Sequence, residues 1–344
     1  MRYRLLGKSG LRVSELCLGT MTFGQDWGWG SSQEESRQIF DTFLEAGGNF
    51  IDTANVYTDG SSERLLGEFI KEERDRVVLA TKYTNSPPLN DPNAGGNQRK
   101  NMMQAVEKSL KRLQTDYIDL YWLHIWDQIT PIEEVMRAFD DLVRQGKVLY
   151  IGISDVPAWV VAKANTLAEL RNWTSFIGLQ IEYSLVERTP ERELIPMAQS
   201  LGITITAWSP LAGGVLSGKY LDSANSSNAR YSNPQMQQFL TNKERSERIA
   251  KEVKEVATEC GRSPAQVALA WLRHQKPPII PIIGARTNAQ LKDNLACLDL
   301  TLSPKQLQKL EDVSKIELGF ISDFFSKEMV KMFAYGGLRD KIDA

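Results

Sequence analysis

Little in this sequence points to cross-links, membranes or nucleic acid. Its three cysteines, Cys17, Cys260 and Cys297, are odd in number and far apart, with no CxxC and no Cys/His pair at ligand spacing. That pattern suggests neither a disulfide framework nor a zinc site, and no metal is expected. Reduced thiols fit a cytoplasmic setting. No run approaches the ~20 apolar residues of a membrane helix, so no membrane insertion is expected. The opening MRYRLLGKSGLRVS is charged and polar and lacks the apolar centre of a signal peptide. Neither sign of charge dominates: 41 Lys and Arg face 43 Asp and Glu, a net of −2. This argues against nucleic acid or an anionic membrane as the main partner. No low-complexity linker and no long internal repeat appears, so residues 1–344 are read as one domain.

What is present is a rhythm. RYRLLGKSGLRVS alternates around a Gly-Lys-Ser-Gly turn and reads as a β-hairpin. Short apolar strands then alternate with helical stretches. The strands are ELCLGT (15–20), NFIDTA (49–54), VVLATKY (77–83), YIDLYWLH (117–124), VLYIGIS (148–154), FIGLQIEYS (176–184), ITITAW (203–208) and IIPIIG (279–284). Between them lie helices at 32–47, 61–73, 99–114, 131–146, 157–170, 191–202 (with an internal Pro196), 242–259 and 264–274, and 288–298 closes the series. Short apolar runs mark strands buried on both faces of a parallel sheet. Eight such units predict a (β/α)8 TIM barrel with an N-terminal β-hairpin and extended strand-end loops. An open doubly wound sheet is the alternative, disfavoured by the count of eight and by the lack of GxGxxG after the first strand. Three segments exceed what a barrel needs: 84–98, 209–241 and a tail from about 303. Long loops at strand ends build the mouth of a barrel.

The strand ends carry chemistry. The second ends in Asp52, with Tyr57 five residues on; the third places Lys82 and the fourth His124 at its end. Singly, each reads as a rim charge or a structural histidine. Three polar ends in succession predict one shared mouth, which Tyr57 can reach from the following loop. A free phenol titrates near ~10, too high for acid–base work at neutrality, and a neighbouring ammonium lowers it. Lys82 is expected to do this for Tyr57, with Asp52 holding Lys82 charged. His124 is expected to orient and polarise a carbonyl oxygen. No member of the set supplies electrons, so a cofactor must deliver hydride.

IDTANVY, ATKY and LYWLH resemble the tetrad motifs of the aldo-keto reductase superfamily, and DTANVYTDGSSERLLGE is especially specific to it. The resemblance runs from the first hairpin to at least residue 298. It implies a (β/α)8 barrel, Tyr57 as general acid, Asp52 and Lys82 as its tuning partners, and His124 as substrate orienter. It also implies NADPH (NADP+) bound across the barrel mouth. By resemblance, Gly19, Thr20, Met21 and Asp52 lie at the cofactor. Ser154 and Asp155, in GISD, meet the nicotinamide amide, although the family more often has Asn where Asp155 stands. Gln180 is the other amide contact.

WSPLAGGVLSGKY is similar to the family's stacking and pyrophosphate loop. Trp208 would lie against the nicotinamide, with Ser209, Pro210, Leu211, Gly213, Gly214, Ser217 and Lys219 along the phosphates, and Arg230 closing over them. IIGARTNAQLKDN brings Ile283, Gly284, Ala285, Arg286, Gln290 and Asn294 to the adenosine end. Arg286 is a forked donor suited to a 2′-phosphate, which favours NADPH over NADH.

Phe23, Trp27 and Trp29 on the first strand-end loop, with Trp126, are expected to line an apolar substrate pocket beside Tyr57 and His124. Asp26 and Asp127 leave room for a polar substrate. The aromatic tail 320–337 is expected to cover that pocket or to pack on the barrel as an amphipathic helix. The function expected is reduction of a small-molecule aldehyde or ketone. One alternative is a Schiff-base aldolase using Lys82. Another is a cofactor-binding regulatory or redox-sensing subunit with slow turnover, since the layout also resembles the potassium-channel β-subunit branch. Nothing in the pattern indicates an oligomer.

Overall fold

The computed structural model describes residues 1–87, 89–220 and 242–343. Strands β1 (Tyr3–Leu5) and β2 (Arg12–Ser14) form the antiparallel hairpin. Eight parallel strands follow: β3 (Cys17–Gly19), β4 (Phe50–Asp52), β5 (Val78–Tyr83), β6 (Ile118–Leu123), β7 (Val148–Ser154), β8 (Phe176–Glu182), β9 (Thr204–Trp208) and β10 (Ile279–Gly284). They pair in chain order, and β10 closes on β3. The molecule is therefore a (β/α)8 barrel, and the open-sheet alternative falls.

Side chains alternate along each strand, so every second residue faces the lumen. Along β5, Leu79 and Tyr83 pack outward against the helices, whereas Val78 and Ala80 pack inside with Phe50, Leu120, Trp122, Ile280 and Ile282. Lys82 is the next inward position after Ala80. The same count makes Asp52 follow Phe50 and His124 follow Trp122. An aspartate and a lysine thus take the last inward positions of β4 and β5, and a histidine follows directly on β6, all at the C-terminal end of the barrel.

The lumen is packed solid below them. Trp122 is completely buried and fills the space beside β7 and β8. A Cβ on Gly152 would lie 2.2 Å from its ring, and one on Gly178 2.7 Å away. The β7–β8 register slips between Ile151 and Gly152, beside this indole. The hairpin closes the opposite end: Leu6 and Val13 join the lumen cluster, and Gly7 N–H donates to Thr204 Oγ1 at 2.6 Å.

The helices form where their caps predict. Ser32 Oγ accepts from Glu35 N–H to start helix 33–45. Pro196 is tolerated because it is the third residue of helix 194–201, where backbone N–H groups have no intrahelical partner. Helix 304–314 opens with a Ser303–Gln306 capping box and buries Leu310 and Ser314. Helices 320–326 and 328–334 bury no side chain. Phe320 is 75% exposed and Phe333 72%. Among the described residues, no helix is long and apolar enough to cross a membrane.

Candidate active site

The Lys82 ammonium has three protons and three partners. Nζ donates to Asp52 Oδ2 and to the Thr53 carbonyl at 2.7 Å, and lies 3.2 Å from Tyr57 Oη. Lys82 is 0% exposed and Asp52 2%. The other carboxylate oxygen, Asp52 Oδ1, accepts from Gln180 Nε2 at 3.0 Å. Tyr57 and His124 sit at the rim, their rings edge-to-face with centroids 5.9 Å apart. All four residues meet at one point in the mouth.

The segment DTANVYTDGSSERLLGE is the frame for this point. Tyr57 opens a 3-10 turn in which Thr58 (φ 45°) and Asp59 (φ 53°) are left-handed. Thr58 Oγ1 donates to the Phe23 carbonyl at 2.6 Å and accepts from Ser62 N–H. Ser62 Oγ lies 2.9 Å from Thr20 Oγ1 and 2.8 Å from Thr53 Oγ1, and Thr20 Oγ1 donates to the Asp52 carbonyl. Buried Glu63 accepts from Thr81 Oγ1 and from Arg112, tying helix 61–69 to β5 and helix 99–113. The residue after each of β5, β7 and β9 is a left-handed non-glycine: Thr84 (φ 97°), Asp155 (φ 49°) and Ser209 (φ 50°). Such strain concentrates at functional sites.

Electrostatics separates the roles. Burial opposes the charge on Lys82, but the Asp52 and Tyr57 oxygens outweigh it, so its pKa is raised and it stays cationic. Burial raises the Tyr57 phenol, and the pull of Lys82 in the other direction does not fully offset it. The expected net lowering of Tyr57 is therefore not found: Lys82 acts with the expected sign, but desolvation is larger. Burial and the Lys82 charge push His124 from 6.5 down to about 3, so the imidazole is neutral. Burial lifts Asp155 to about 6, against the Trp208 N–H, Lys82 and Ser154.

A family model described as the aldo/keto reductase family matches residues 15–315. The chain belongs to the aldo/keto reductase family. It is 39% identical over 335 residues to norsolorinic acid reductase of Aspergillus flavus, covering 94% of this chain and 83% of that protein. It is 38% identical over 338 residues to aryl-alcohol dehydrogenase [NADP(+)] of Phanerodontia chrysosporium, covering 93% and 87%. Uncharacterized oxidoreductase YrpG of Bacillus subtilis is 40% identical over 326 residues, covering 91% and 96%. These relatives are named as oxidoreductases, and the chain is an oxidoreductase of the same family. They lend no specific support to the channel-subunit branch.

Within this aldo/keto reductase mouth, the residues expected at the cofactor are unevenly prepared for one. Ser154 Oγ is buried without a well-formed hydrogen bond, and Trp208 is held by its Nε1–H, which donates to Asp155 Oδ1 at 3.0 Å. A buried hydroxyl left with at most a weak contact to the Asp155 carboxyl, and a pinned, partly exposed indole, suit a polar flat ring. Thr20 is different: it is fully buried and its hydroxyl is engaged, so it holds Asp52 in place. Gly19 and Met21 stay partly exposed at the end of β3. Ile283 and Ala285 are buried in the core, which leaves their backbone and the exposed Gly284 for any contact.

The 209–219 loop turns through left-handed Gly213 (φ 61°) and Gly214 (φ 96°). A Cβ on Gly214 would sit 2.5 Å from the Lys219 side chain, so this glycine admits Lys219. Ser217 Oγ donates to the Gly214 carbonyl at 2.7 Å. Pro210 is buried and Leu211 packs on the core. Arg286 N–H donates to Gln290 Oε1 at 2.9 Å, and Asn294 Nδ2 to the Gly284 carbonyl at 3.4 Å. Thr287 caps helix 288–295, and Glu35 accepts from Asn288 N–H, so part of this N-terminus already has protein partners. Arg230 lies outside the described residues.

The substrate wall needs correction. Phe23 is completely buried, edge-on to Phe69 at 6.3 Å, and belongs to the core. Trp27 and Trp126 stay partly exposed: Trp27 packs on Trp29 at 5.7 Å, and Trp126 on Trp159 at 5.5 Å. Asp127 is structural. It accepts from Asn97 N–H, Thr130 and Ile129 N–H, and these bonds outweigh burial and lower its pKa. Sequence reasoning missed Ser62, Glu63, Asn85 and Asn97, because their partners lie far along the chain. The specificity of the 52–68 motif was the available signal for Ser62 and Glu63.

Proposed function

We propose that this protein is an NADPH-dependent reductase of aldehydes and ketones, with Tyr57 as the proton donor. The observation that carries the reading is the continuous hydrogen-bonded chain from buried Asp52 through buried Lys82 to Tyr57 at the rim, ending beside a neutral His124. The nicotinamide, when bound, supplies the hydride. Trp208, Ser154, Gln180 and Asp155 would hold its ring and amide, and Arg286 with Gln290 and Asn294 the adenosine end. Lys82, kept cationic by Asp52, favours the phenolate left when Tyr57 gives up its proton. Neutral His124 can donate a hydrogen bond to the substrate oxygen without competing as an acid.

The name of the aryl-alcohol dehydrogenase relative supports aryl alcohols and the matching aryl aldehydes as the first substrates, in keeping with the partly exposed Trp27 and Trp126. A Schiff-base aldolase is disfavoured, because a Lys82 that is buried, ion-paired and cationic is a poor nucleophile. Cys17, Cys260 and Cys297 are free, which supports a reducing compartment such as the cytoplasm.

The test is quenching of tryptophan fluorescence by NADPH and NADH, followed by assays on aryl aldehydes. NADPH should bind more tightly, and Arg286→Ala should remove the preference. Tyr57→Phe should still bind NADPH but lose about 100-fold or more in carbonyl reduction. Binding of neither nucleotide to folded protein would sink the proposal. Tight binding with very slow turnover on every carbonyl would favour a regulatory subunit.

A further inference from the structure

We infer that Asn85 is a positioning residue that fixes His124 in the neutral tautomer carrying its proton on Nε2. This deepens the reductase reading and rests on it for its catalytic consequence, although the tautomer itself does not depend on that reading.

Asn85 Nδ2 lies 3.2 Å from His124 Nδ1. An amide NH2 can only donate, so Nδ1 must accept. A neutral imidazole has one proton, which then sits on Nε2. The ring is kept neutral by burial and by the Lys82 charge. Nε2–H is therefore the donor left for a substrate oxygen.

Asn85 is itself held on several sides. Its backbone carbonyl accepts from Asn55 Nδ2 at 3.0 Å, and Asn55 N–H donates to the Lys82 backbone carbonyl at 3.2 Å. The preceding Thr84 is a β-branched residue at φ 97°, a rare conformation that needs support from its surroundings. That support is present: Asn97 Nδ2 donates to Thr84 Oγ1 at 2.9 Å, and Asn101 Nδ2 to the Thr84 carbonyl at 3.3 Å. Asn97 is anchored in turn by a reciprocal pair with Asp127, 2.7 Å in each direction. The turn after β5 thus carries Asn85 to the back of the imidazole, and Asn97, Asn101 and Asp127 brace it.

The chain has only two histidines, and the second is a built-in reference. His274 Nδ1 lies 2.7 Å from the Ala270 carbonyl, which can only accept. His274 must therefore be protonated on Nδ1, the opposite tautomer. Long-range proton–nitrogen NMR of the full chain labelled with 15N-histidine should show one imidazole of each kind, assigned with His274→Gln. In Asn85→Asp a carboxylate faces Nδ1. The His124 proton should move to Nδ1, its titration should shift upward, and the His274 signal should stay unchanged.

With aryl aldehyde and NADPH, Asn85→Asp should lose about tenfold or more in kcat/KM at unchanged NADPH affinity. Asn85→Ala should show mixed tautomers and an intermediate loss. A wild-type His124 protonated on Nδ1 would overturn the inference, whether or not any variant folds. So would an Asn85→Asp protein with native His274 signals and an unmoved His124 tautomer. If the tautomers come out as expected but neither nucleotide binds, the reductase reading fails and the positioning of His124 stands.

Discussion

Replacing Lys82 with methionine should destabilise the fold far more than its loss of packing suggests. Methionine fills similar volume, so little cavity forms. The cost is electrostatic. Lys82 is 0% exposed and Asp52 2%, and without the ammonium the carboxylate would keep the Gln180 Nε2–H, which donates to Oδ1 at 3.0 Å, as its side-chain partner. Breaking a buried pair on one side costs about 3–5 kcal/mol. At ~2.1 cal/mol/K per residue, a chain of 344 residues unfolds with an entropy near 0.7 kcal/mol/K, so Tm should fall by about 4–7 °C. Adding Asp52→Asn to Lys82→Met removes the stranded charge. The double variant should therefore recover most of the loss, with a coupling energy of about 3 kcal/mol. Thermal unfolding of wild type, both single variants and the double, followed by near-UV circular dichroism without cofactor, measures the cycle. Losses that simply add would refute the claim that the pair acts as one buried unit.

Three further outcomes are expected. His124 is held near 3 against 6.5 when unfolded, so the unfolded chain binds more protons between those values and stability falls as pH drops through that window. Relative to His124→Asn, wild type should lose a few kcal/mol between pH 7 and pH 4, read from urea midpoints; parallel curves would contradict a buried neutral ring. Asp155 has the opposite sign: its pKa is raised from 3.8 to about 6, so its ionisation costs stability as pH rises across that interval. Asp155→Asn should be more stable than wild type by up to roughly 3 kcal/mol at pH 7.5, with the advantage fading towards pH 4, and a pH-independent difference would count against it. Gly152→Ala drives a methyl to 2.2 Å from Trp122 and should cost about 1–3 kcal/mol. Trp122→Phe in the same protein should relieve part of that cost, and no relief would mean that the indole is not the obstacle.

The alternation of short apolar strands with capped helices was enough to read the barrel, because a strand buried on both faces and a half-buried helix have different periods. Period-two alternation also carried Asp52, Lys82 and His124 into the lumen, since each occupies the inward position after Phe50, Ala80 and Trp122. Those are local properties of the chain. The rest depended on neighbours distant in sequence. Phe23 is a core residue because Phe69 and the Thr58 turn close over it, which its position in a strand-end loop does not reveal. Gly152 and Gly178 read from sequence as ordinary strand glycines, yet they are small because Trp122 fills the space beside them. Asp127 resembles a rim acid and is instead the anchor of Asn97. The direction of the Tyr57 shift is a balance between desolvation and one ammonium, and both depend on packing. Asn85 became legible only once the turn after β5 had been folded back against His124. The sequence by itself determined the barrel and the inward positions that bring Asp52, Lys82 and His124 to one end of it. Tertiary structure decided which of them are free to act, because hydrogen bonds and burial are set by contacts across the barrel and not by spacing along the chain.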